Sequence, residues 1–311
     1  MKQLIDYAIG ETYEGYLLIK RATKGITQKG APFMTVILQD QSADIEAKLW
    51  ETTEEHEKQY EAGTIVKVGG ELHDYRGRTQ LRVKKIRPAR PDEPVELADL
   101  VPAASTPKEE LYEMLLSYVD EMENESIERI TRTIVEQNRE KLLVYPAAMS
   151  NHHDYVSGLI DHVVSMLSLS RAFVDHYPLL NRDLLYAGII LHDIGKVQEL
   201  TGPIGTTYTV EGNLLGHITI MVSTIDEVAK SLGIEGEEVV LLQHMVLSHH
   251  GKEEWGSPKR PMLPEAEMLH YIDNIDAKMH MFERAMKVTE PGEFTNRIFP
   301  LDNRMFYKAR L

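Results

Sequence analysis

The chain changes its repeating pattern once, at a proline-rich segment, and this change requires two structural units of different class. Residues 88–107 (PARPDEPVELADLVPAASTP) contain five of the 14 prolines. Before this segment, short runs rich in β-branched and aromatic residues alternate with Gly and Asp turn signals. After it, apolar residues recur at helical spacing. Because 311 residues suffice for two domains with separate cores, we expect the proline-rich segment to link them.

The N-terminal part predicts a small β-barrel. Its five strand-like runs are residues 13–22, 32–40, 43–50, 64–72 and 78–87. A segment that can form a short helix, residues 52–63, lies between the third and fourth runs. This order is the OB-fold arrangement. The expected fold class is therefore multidomain α and β, with a five-stranded OB-fold β-barrel followed by an all-α helical bundle.

The helical period predicts the organisation of the remaining chain. The expected domains are the OB-fold at 1–90, the linker at 91–107, the helical domain at 108–286 and a C-terminal tail at 287–311. The expected helices are 108–122, 125–140, 154–176, 182–198, 213–232, 236–250 and 264–286.

Charge is distributed unevenly along the chain. The whole sequence has a net charge of −15, but residues 1–90 carry +2 and the remainder −17. Residues 66–90 alone hold eight basic and two acidic residues. A local basic patch attracts phosphate whatever the global charge, whereas charged strand edges also keep sheets from associating. Charge alone therefore leaves nucleic-acid binding and solubility as alternatives.

The absence of cysteine restricts the possible chemistry. With no cysteine in the sequence, disulfides, thiolate zinc sites, iron–sulfur clusters and a cysteine nucleophile are excluded. The N-terminal residues lack the apolar core of a signal peptide, and no run reaches the length of a membrane helix. We expect a cytoplasmic protein without membrane contact.

Histidines are concentrated in the helical part, where eleven of the 13 lie between residues 152 and 280. Seven side chains at or near the ends of apolar helices are candidate metal ligands: His162, His192, Asp193, His217, His249, His250 and Asp273. On the expected helix 182–198, Lys196 lies within one turn of His192 and Asp193. Nitrogen and carboxylate donors without thiolate suit manganese, iron, magnesium or zinc in an open catalytic site.

The order of these residues resembles the H…HD…D signature of the HD-domain metal-dependent phosphohydrolases. His162, His192–Asp193 and Asp273 carry the signature, and Lys196 completes the HDIGK form common in that superfamily. This resemblance covers about residues 145–285. With the OB-like domain and the linker included, nearly the whole chain resembles the YhaM-type 3′→5′ exoribonucleases.

The resemblance implies a function, a cofactor and a partner. The function is manganese-dependent, stepwise release of nucleoside 5′-monophosphates from the 3′ end of single-stranded RNA, with single-stranded DNA as an alternative substrate. Two divalent ions are expected, with Mn²⁺ favoured over Mg²⁺, Fe²⁺ and Zn²⁺. The oligomeric state stays open, a homo-oligomer included, and no protein partner can be deduced.

The resemblance also suggests roles for individual side chains. Asp193 would bridge the two ions, since one carboxylate can reach both. His162, His192 and Asp273 would complete the shell of the first ion, and His217 with His249 or His250 that of the second. Lys196 would contact a phosphate oxygen. His153, with His152 beside it, would contact phosphate or protonate the leaving oxygen.

Aromatic and basic residues of the barrel are the candidate nucleic-acid contacts, because OB folds hold single strands on such side chains. These candidates are Phe33, Tyr75, Arg76, Arg78, Lys84 and Lys85. Trp50 is a further aromatic candidate, but it most resembles a core residue and is expected in the core. Tyr75 is the strongest aromatic candidate, because it lies at the tip of a basic hairpin. Contacts to phosphates predict salt-sensitive binding with little sequence preference.

Two other interpretations remain open. The chain could be a small-molecule HD phosphohydrolase that acts on nucleotides or cyclic dinucleotides, with a regulatory β domain. It could also be a non-catalytic RNA-binding or scaffolding protein that retains only the HD architecture.

Overall fold

The computed structural model describes residues 2–75, 77–147, 155–203 and 205–311. The chain divides into two compact units, Met1–Ala103 with Pro203–Thr206, and Ala104–Gly202 with Thr207–Leu311. The domain limits predicted from the sequence stay a prediction. Among the described residues, no helix is both long and apolar enough to span a bilayer.

The first unit contains the predicted five-stranded OB-fold barrel. Its elements are β1 Thr12–Ile26, β2 Pro32–Gln39, β3 Asp44–Trp50, α1 Glu54–Gln59, β4 Ile65–Tyr75 and β5 Arg78–Pro88. The strands close in the order β1-β2-β3-β5-β4. The β3–β5 pair is parallel and the other pairs are antiparallel. The fold class predicted for this part is therefore confirmed.

Alternation along the strands fills the barrel interior. In β2, Met34, Val36 and Leu38 are buried, while the residues between them are partly exposed. Such a period of two places one face of each strand inside the barrel. Gly70 lies beside a register shift in the β4–β5 pair, and a Cβ there would stand 2.5 Å from the Arg82 carbonyl oxygen. The strands pack this closely only because residue 70 has no side chain.

The second unit is helical. Its helices are α2 Lys108–Asp120, α3 Glu125–Gln137, α4 Arg139–Leu142, α5 Gly158–His176, α6 Arg182–Leu191, α7 Lys196–Glu199, α8 Val210–Leu232, α9 Glu237–Ser248 and α10 Pro264–Lys287. Helix α6 is buried from Asp183 to Leu191 and packs against α3, α5, α9 and α10. A helix apolar on all sides belongs in the middle of a bundle, and α6 occupies that place.

Four of the predicted helices differ from the observed ones by a break or by three or more residues at an end. The helix expected at 125–140 is divided into α3, which ends at Gln137, and α4, which begins at Arg139. The helix expected at 154–176 begins at Gly158. The helix expected at 182–198 is broken, because α6 ends at Leu191 and α7 begins at Lys196. The helix expected at 213–232 begins at Val210 and is kinked at a glycine. The break and the kink lie against each other at the site described below.

The C-terminal tail packs on the end of α10. The ring centroids of Phe282 and Phe306 are 4.7 Å apart. Lys308 Nζ donates hydrogen bonds to the carbonyl oxygens of Met286 at 2.8 Å and Thr289 at 2.7 Å. These contacts hold the last residues on the helical unit.

Candidate metal centre

The seven side chains predicted as metal ligands lie together inside the helical unit. They come from α5, from the turn after α6, from α8, from the end of α9 and from α10: His162, His192, Asp193, His217, His249, His250 and Asp273. The elements are far apart in sequence, so only the tertiary fold produces the cluster. Their role as ligands stays a prediction.

Asp193 lies at the middle of the cluster, and its two oxygens face different histidines. Oδ2 is 3.3 Å from His192 Nε2 and accepts a hydrogen bond from Lys196 Nζ at 2.6 Å. Oδ1 is 3.5 Å from His217 Nε2 and 3.9 Å from His249 Nε2. A carboxylate placed between two sets of imidazole nitrogens has the geometry needed to bridge two cations.

The ligand atoms form two groups, each compact enough to hold an ion. The first ligand group is His162, His192 and Asp193, and the second ligand group is His217, His249 and His250. Within each group the candidate atoms lie within 4.8 Å of one another. Asp273 adjoins the first ligand group, with Oδ1 3.3 Å from His162 Nε2.

Two of the histidines are oriented by backbone carbonyls. His192 Nδ1 is 2.7 Å from the carbonyl oxygen of Ile189, and His249 Nδ1 is 2.8 Å from that of Val246. A carbonyl oxygen only accepts, so each Nδ1 carries the proton and each Nε2 presents a lone pair. Metal ligation through Nε2 requires that tautomer.

His162 is oriented by a carboxylate. Its Nδ1 is 2.7 Å from Asp276 Oδ2, and the Ser165 hydroxyl donates to the other oxygen of that carboxylate. A carboxylate at this position fixes the ring and makes the imidazole a better donor to a metal. Burial lowers the pKa of His162, but the bonds to Asp273 and Asp276 outweigh burial and raise it to about 10.

His217 is oriented by a carboxylate that the sequence did not reveal. Both Glu199 oxygens are 3.1 Å from His217 Nδ1, and Oε1 also accepts from the His217 backbone N–H at 3.0 Å. His217 follows Gly216, whose φ of 71° kinks α8. A Cβ on Gly195 would lie 2.3 Å from the His217 carbonyl oxygen. The turn before α7, where the predicted helix 182–198 is broken, therefore lies directly against the kink.

Five buried polar atoms of the cluster have no hydrogen-bond partner among the described residues. They are Asp193 Oδ1, His192 Nε2, His217 Nε2, His249 Nε2 and His250 Nδ1. A buried polar atom without a partner is costly, and several in one place call for a bound species. All five can offer a lone pair to a divalent cation, so the residues present fit a metal centre.

The charge states of Asp193 and His249 also suit a cation. Burial raises the pKa of Asp193, but His192 and Lys196 outweigh burial and hold the pKa well below its usual range. Burial, with His250 beside it, holds the pKa of His249 well below the usual histidine value. A charged carboxylate and a neutral imidazole are the forms that bind metal.

Two predicted site residues, His153 and Arg76, lie outside the described residues. Lys196 is held by Asp193 at the centre, and its side chain is 14% exposed. In the barrel, Tyr75, Arg78 and Lys85 are exposed.

One predicted barrel contact has an internal partner. Lys84 is exposed but forms an ion pair with Glu71 at 3.2 Å. Exposed pairs of this kind contribute little stability, so the pair can open when a phosphate approaches.

The prediction that Trp50 lies in the core is wrong, because the side chain is 61% exposed. Leu49 points into the barrel, so alternation along β3 turns Trp50 outward. The ring centroids of Trp50 and Phe33 are 5.4 Å apart, and Lys48 Nζ lies 5.2 Å from the Phe33 centroid. Phe33, Lys48 and Trp50 therefore form an aromatic and cationic surface, which we call the β2–β3 platform. Nothing in the local sequence around Lys48 predicts its place on this surface.

Comparison with known families identifies both parts of the chain. Residues 159–278 match the HD domain family model. Residues 18–89 match the model of an OB-fold nucleic acid binding domain. An HD domain indicates a metal-dependent phosphohydrolase, and the OB-fold supports nucleic-acid binding. The predicted order of an OB-fold followed by an HD-domain bundle is confirmed, and the two domains together support a nucleic-acid hydrolase.

Proposed function

We propose that this OB-fold and HD-domain chain is a metal-dependent 3′→5′ exoribonuclease that degrades single-stranded RNA to nucleoside 5′-monophosphates. The observation that carries the proposal is Asp193, whose two oxygens face two separate sets of histidines. An OB-fold nucleic-acid-binding domain in the same chain favours a polymeric substrate. The 3′→5′ polarity is supported by the resemblance to YhaM-type enzymes alone.

When bound, two divalent ions would supply a nucleophilic water at neutral pH and would neutralise charge on the phosphoryl oxygens. Asp193 would hold both ions, and the histidines of each ligand group would complete their shells. Lys196 stands beside Asp193 and would donate a hydrogen bond to a non-bridging phosphate oxygen. The role of His153 as proton donor to the leaving oxygen stays a proposal from the sequence.

The ligand chemistry disfavours magnesium. Five imidazoles face the cluster, from His162, His192, His217, His249 and His250. Magnesium prefers oxygen ligands and keeps several waters, whereas iron and zinc accept imidazole readily. The resemblance to YhaM-type enzymes favours manganese among the other ions, so we propose Mn²⁺ as the native ion, with Fe²⁺, Zn²⁺ and Mg²⁺ as alternatives.

The barrel would hold the RNA strand. Bases stack on aromatic rings irrespective of sequence, and phosphates pair with exposed cations. The β2–β3 platform supplies the rings, and Tyr75, Arg78 and Lys85 supply a further ring and cations. Such binding weakens as salt is added. Single-stranded DNA, which offers the same bases and phosphates, would bind as well.

The proposal is tested by product analysis on one RNA labelled at either the 5′ or the 3′ end, with Mn²⁺, with Mg²⁺ and with chelator. A metal-dependent ladder from the 5′-labelled RNA, with early release of labelled mononucleotide from the 3′-labelled RNA, is expected. The Asp193→Asn variant should be inactive. Intact RNA under every metal would refute the nuclease, and early mononucleotide from the 5′ end would refute the polarity.

A second candidate function is hydrolysis of nucleotides or cyclic dinucleotides, with the barrel as a regulator. It is favoured by one observation, namely that all seven predicted ligands lie in the helical unit. A double variant in the barrel, Phe33→Ala with Trp50→Ala, separates the candidates in the full chain. A small-molecule hydrolase should keep its rate on mononucleotides, whereas the nuclease should lose activity on long RNA.

A further inference from the structure

The loop that follows the second ligand group has no role in the function proposed so far. Residues 251–257 (GKEEWGS), which we call the Trp255 loop, begin directly after His250. The short 3-10 turn Glu253–Trp255 within it contains no buried residue. Its exposed tryptophan therefore does not serve the core of the domain.

The Trp255 loop is fixed to the metal centre by hydrogen bonds. The Ser257 hydroxyl accepts from the His250 backbone N–H at 3.0 Å, and Ser257 is fully buried. At the other end, the Gly251 N–H donates to the Ser248 carbonyl oxygen at 2.8 Å. A Cβ built on Gly256 would lie 3.5 Å from His250 Nδ1. Trp255 is thus one residue away from the wall of the second ligand group.

A histidine next to the ligands supports the indole. The rings of Trp255 and His270 have centroids 5.8 Å apart. His270 Nδ1 is 3.1 Å from the carbonyl oxygen of His249, so this ring is itself tied to the ligand segment. A Cβ on Gly251 would lie 2.6 Å from the His270 ring, so only glycine fits there. The tryptophan is held in place although it is 48% exposed.

A lysine accompanies the ring. Lys252 Nζ lies 4.3 Å from the Trp255 ring centroid. Across the described part of the chain, no carboxylate forms an ion pair with this lysine. A half-exposed aromatic ring with an unneutralised cation is the combination that binds a nucleobase and an adjoining phosphate. A cation at this position also suits the negative charge of a strand that enters the metal centre.

We propose that Trp255 stacks on the base of the nucleotide whose phosphate is held at the metal centre, and that Lys252 contacts a phosphate of the same strand. The inference rests on the proposed function, which supplies a polynucleotide substrate. It assigns Trp255 to the recognition of the substrate end, separately from the β2–β3 platform in the barrel. Because every base offers a ring face, such stacking accepts all four bases.

Tryptophan fluorescence gives the first test, since the chain contains only two tryptophans, Trp50 and Trp255. In Trp50→Phe protein, Trp255 is the sole indole emitter. Adenosine 5′-monophosphate should quench it saturably in the presence of Zn²⁺, which imidazole binds well, whereas ribose 5-phosphate should not. The Trp255→Phe protein, which reports from Trp50, serves as the matched control. Equal responses of the Trp255 reporter to both ligands would overturn the proposal.

Kinetics on a terminal abasic site give the second test. One RNA carries a base on its 3′-terminal nucleotide and a matched RNA lacks it. Wild type should favour the intact RNA in kcat/KM by about tenfold. Trp255→Ala should abolish this ratio, and Trp255→Tyr should largely retain it. Equal loss on both RNAs, or no loss on either, would overturn the proposal.

The two hypotheses fail in distinguishable ways. If wild type cleaves neither RNA with any metal, the proposed nuclease function fails. If wild type cleaves both RNAs but the Trp255→Ala variant keeps the same ratio, only the stacking role fails. Metal content should be equal in wild type and in Trp255→Ala, because Trp255 is not among the ligands. A lower metal content would assign the tryptophan to the structure of the site and would overturn the stacking role.

Discussion

The carboxylate that holds His217 offers the sharpest test of the metal centre, through the Glu199→Gln substitution. Glu199 contacts His217 Nδ1 with both oxygens at 3.1 Å, and Oε1 also accepts from the His217 backbone N–H. Burial raises the pKa of Glu199, but its bonds and charge interaction with His217 outweigh burial and lower it. The residue is therefore a charged acceptor for the ring.

Glutamine keeps the shape of this side chain but removes its charge. Its oxygen can still accept from the backbone N–H and lies near the ring, but its amide nitrogen then also lies beside His217 Nδ1. A donor at that place favours the tautomer that carries its proton on Nε2, and that proton blocks ligation. Loss of a charge-assisted hydrogen bond costs about 1.5–3 kcal/mol. This cost corresponds to about a 10–150-fold weaker affinity of the second ligand group for its ion.

The first ligand group should be unaffected, because Glu199 does not contact it. Titration calorimetry with Mn²⁺, with elemental analysis after dialysis, should show two ions in wild type. At Mn²⁺ concentrations a few-fold above the wild-type dissociation constant, Glu199→Gln should retain about one ion. Glu211→Gln, the same chemical change on the exposed first turn of α8, is the matched control. Unchanged affinity, or equal weakening of both ions, would refute the reasoning.

Three further predictions concern the bridge, the barrel and the linker. Asp193→Asn should lower the occupancy of both ion sites and reduce the rate of RNA hydrolysis by about 10³-fold or more. A variant that retains even a tenth of the activity would contradict the bridging role. Trp50→Ala should weaken RNA binding by about 5–150-fold in anisotropy titrations with little loss of stability, whereas Leu49→Ala should cost about 2–5 kcal/mol in urea unfolding; the reverse pattern would place Trp50 in the core after all. The hydrogen bond from Arg87 holds the pKa of Glu93 well below its ordinary value of 4.5. A depressed carboxyl pKa stabilises the fold above the unfolded-state value, and that stabilisation is lost as pH falls toward the folded-state value. Glu93→Gln should therefore be less stable than wild type at pH 7, with a difference that shrinks as pH is lowered below about 4.5; a difference independent of pH would contradict the ion pair.

The strands and the order of the ligand residues could be predicted from the sequence because each depends on patterns among neighbouring residues. Alternating apolar residues between Gly and Asp turns define the strands of the barrel. Histidines at the ends of apolar helices mark positions that face a shared interior. The same alternation would have placed Trp50 outside the barrel, had it been followed past the buried Leu49 instead of the general preference of tryptophan for the interior.

Other features depend on contacts between distant segments and leave little local signal. The break before Lys196 lies where Gly195 closely approaches the carbonyl oxygen of His217, although the apolar period continues through the break. The only signal in the sequence that Glu199 orients a metal ligand was its position three residues after Lys196. The choice between His249 and His250 rested on one residue of helical phase, and the structure places both in the second ligand group.

Two of the ligand histidines also complete the ends of their own helices. The last carbonyl groups of a helix lack a donor from the next turn. His192 closes α6 and His249 closes α9, and each uses Nδ1–H to satisfy a carbonyl in its last turn, that of Ile189 or of Val246. One bond therefore both caps the helix and selects the tautomer. Formation of the two helices therefore orients both Nε2 lone pairs without help from an ion. These two ligands are preorganised for metal binding by the fold itself.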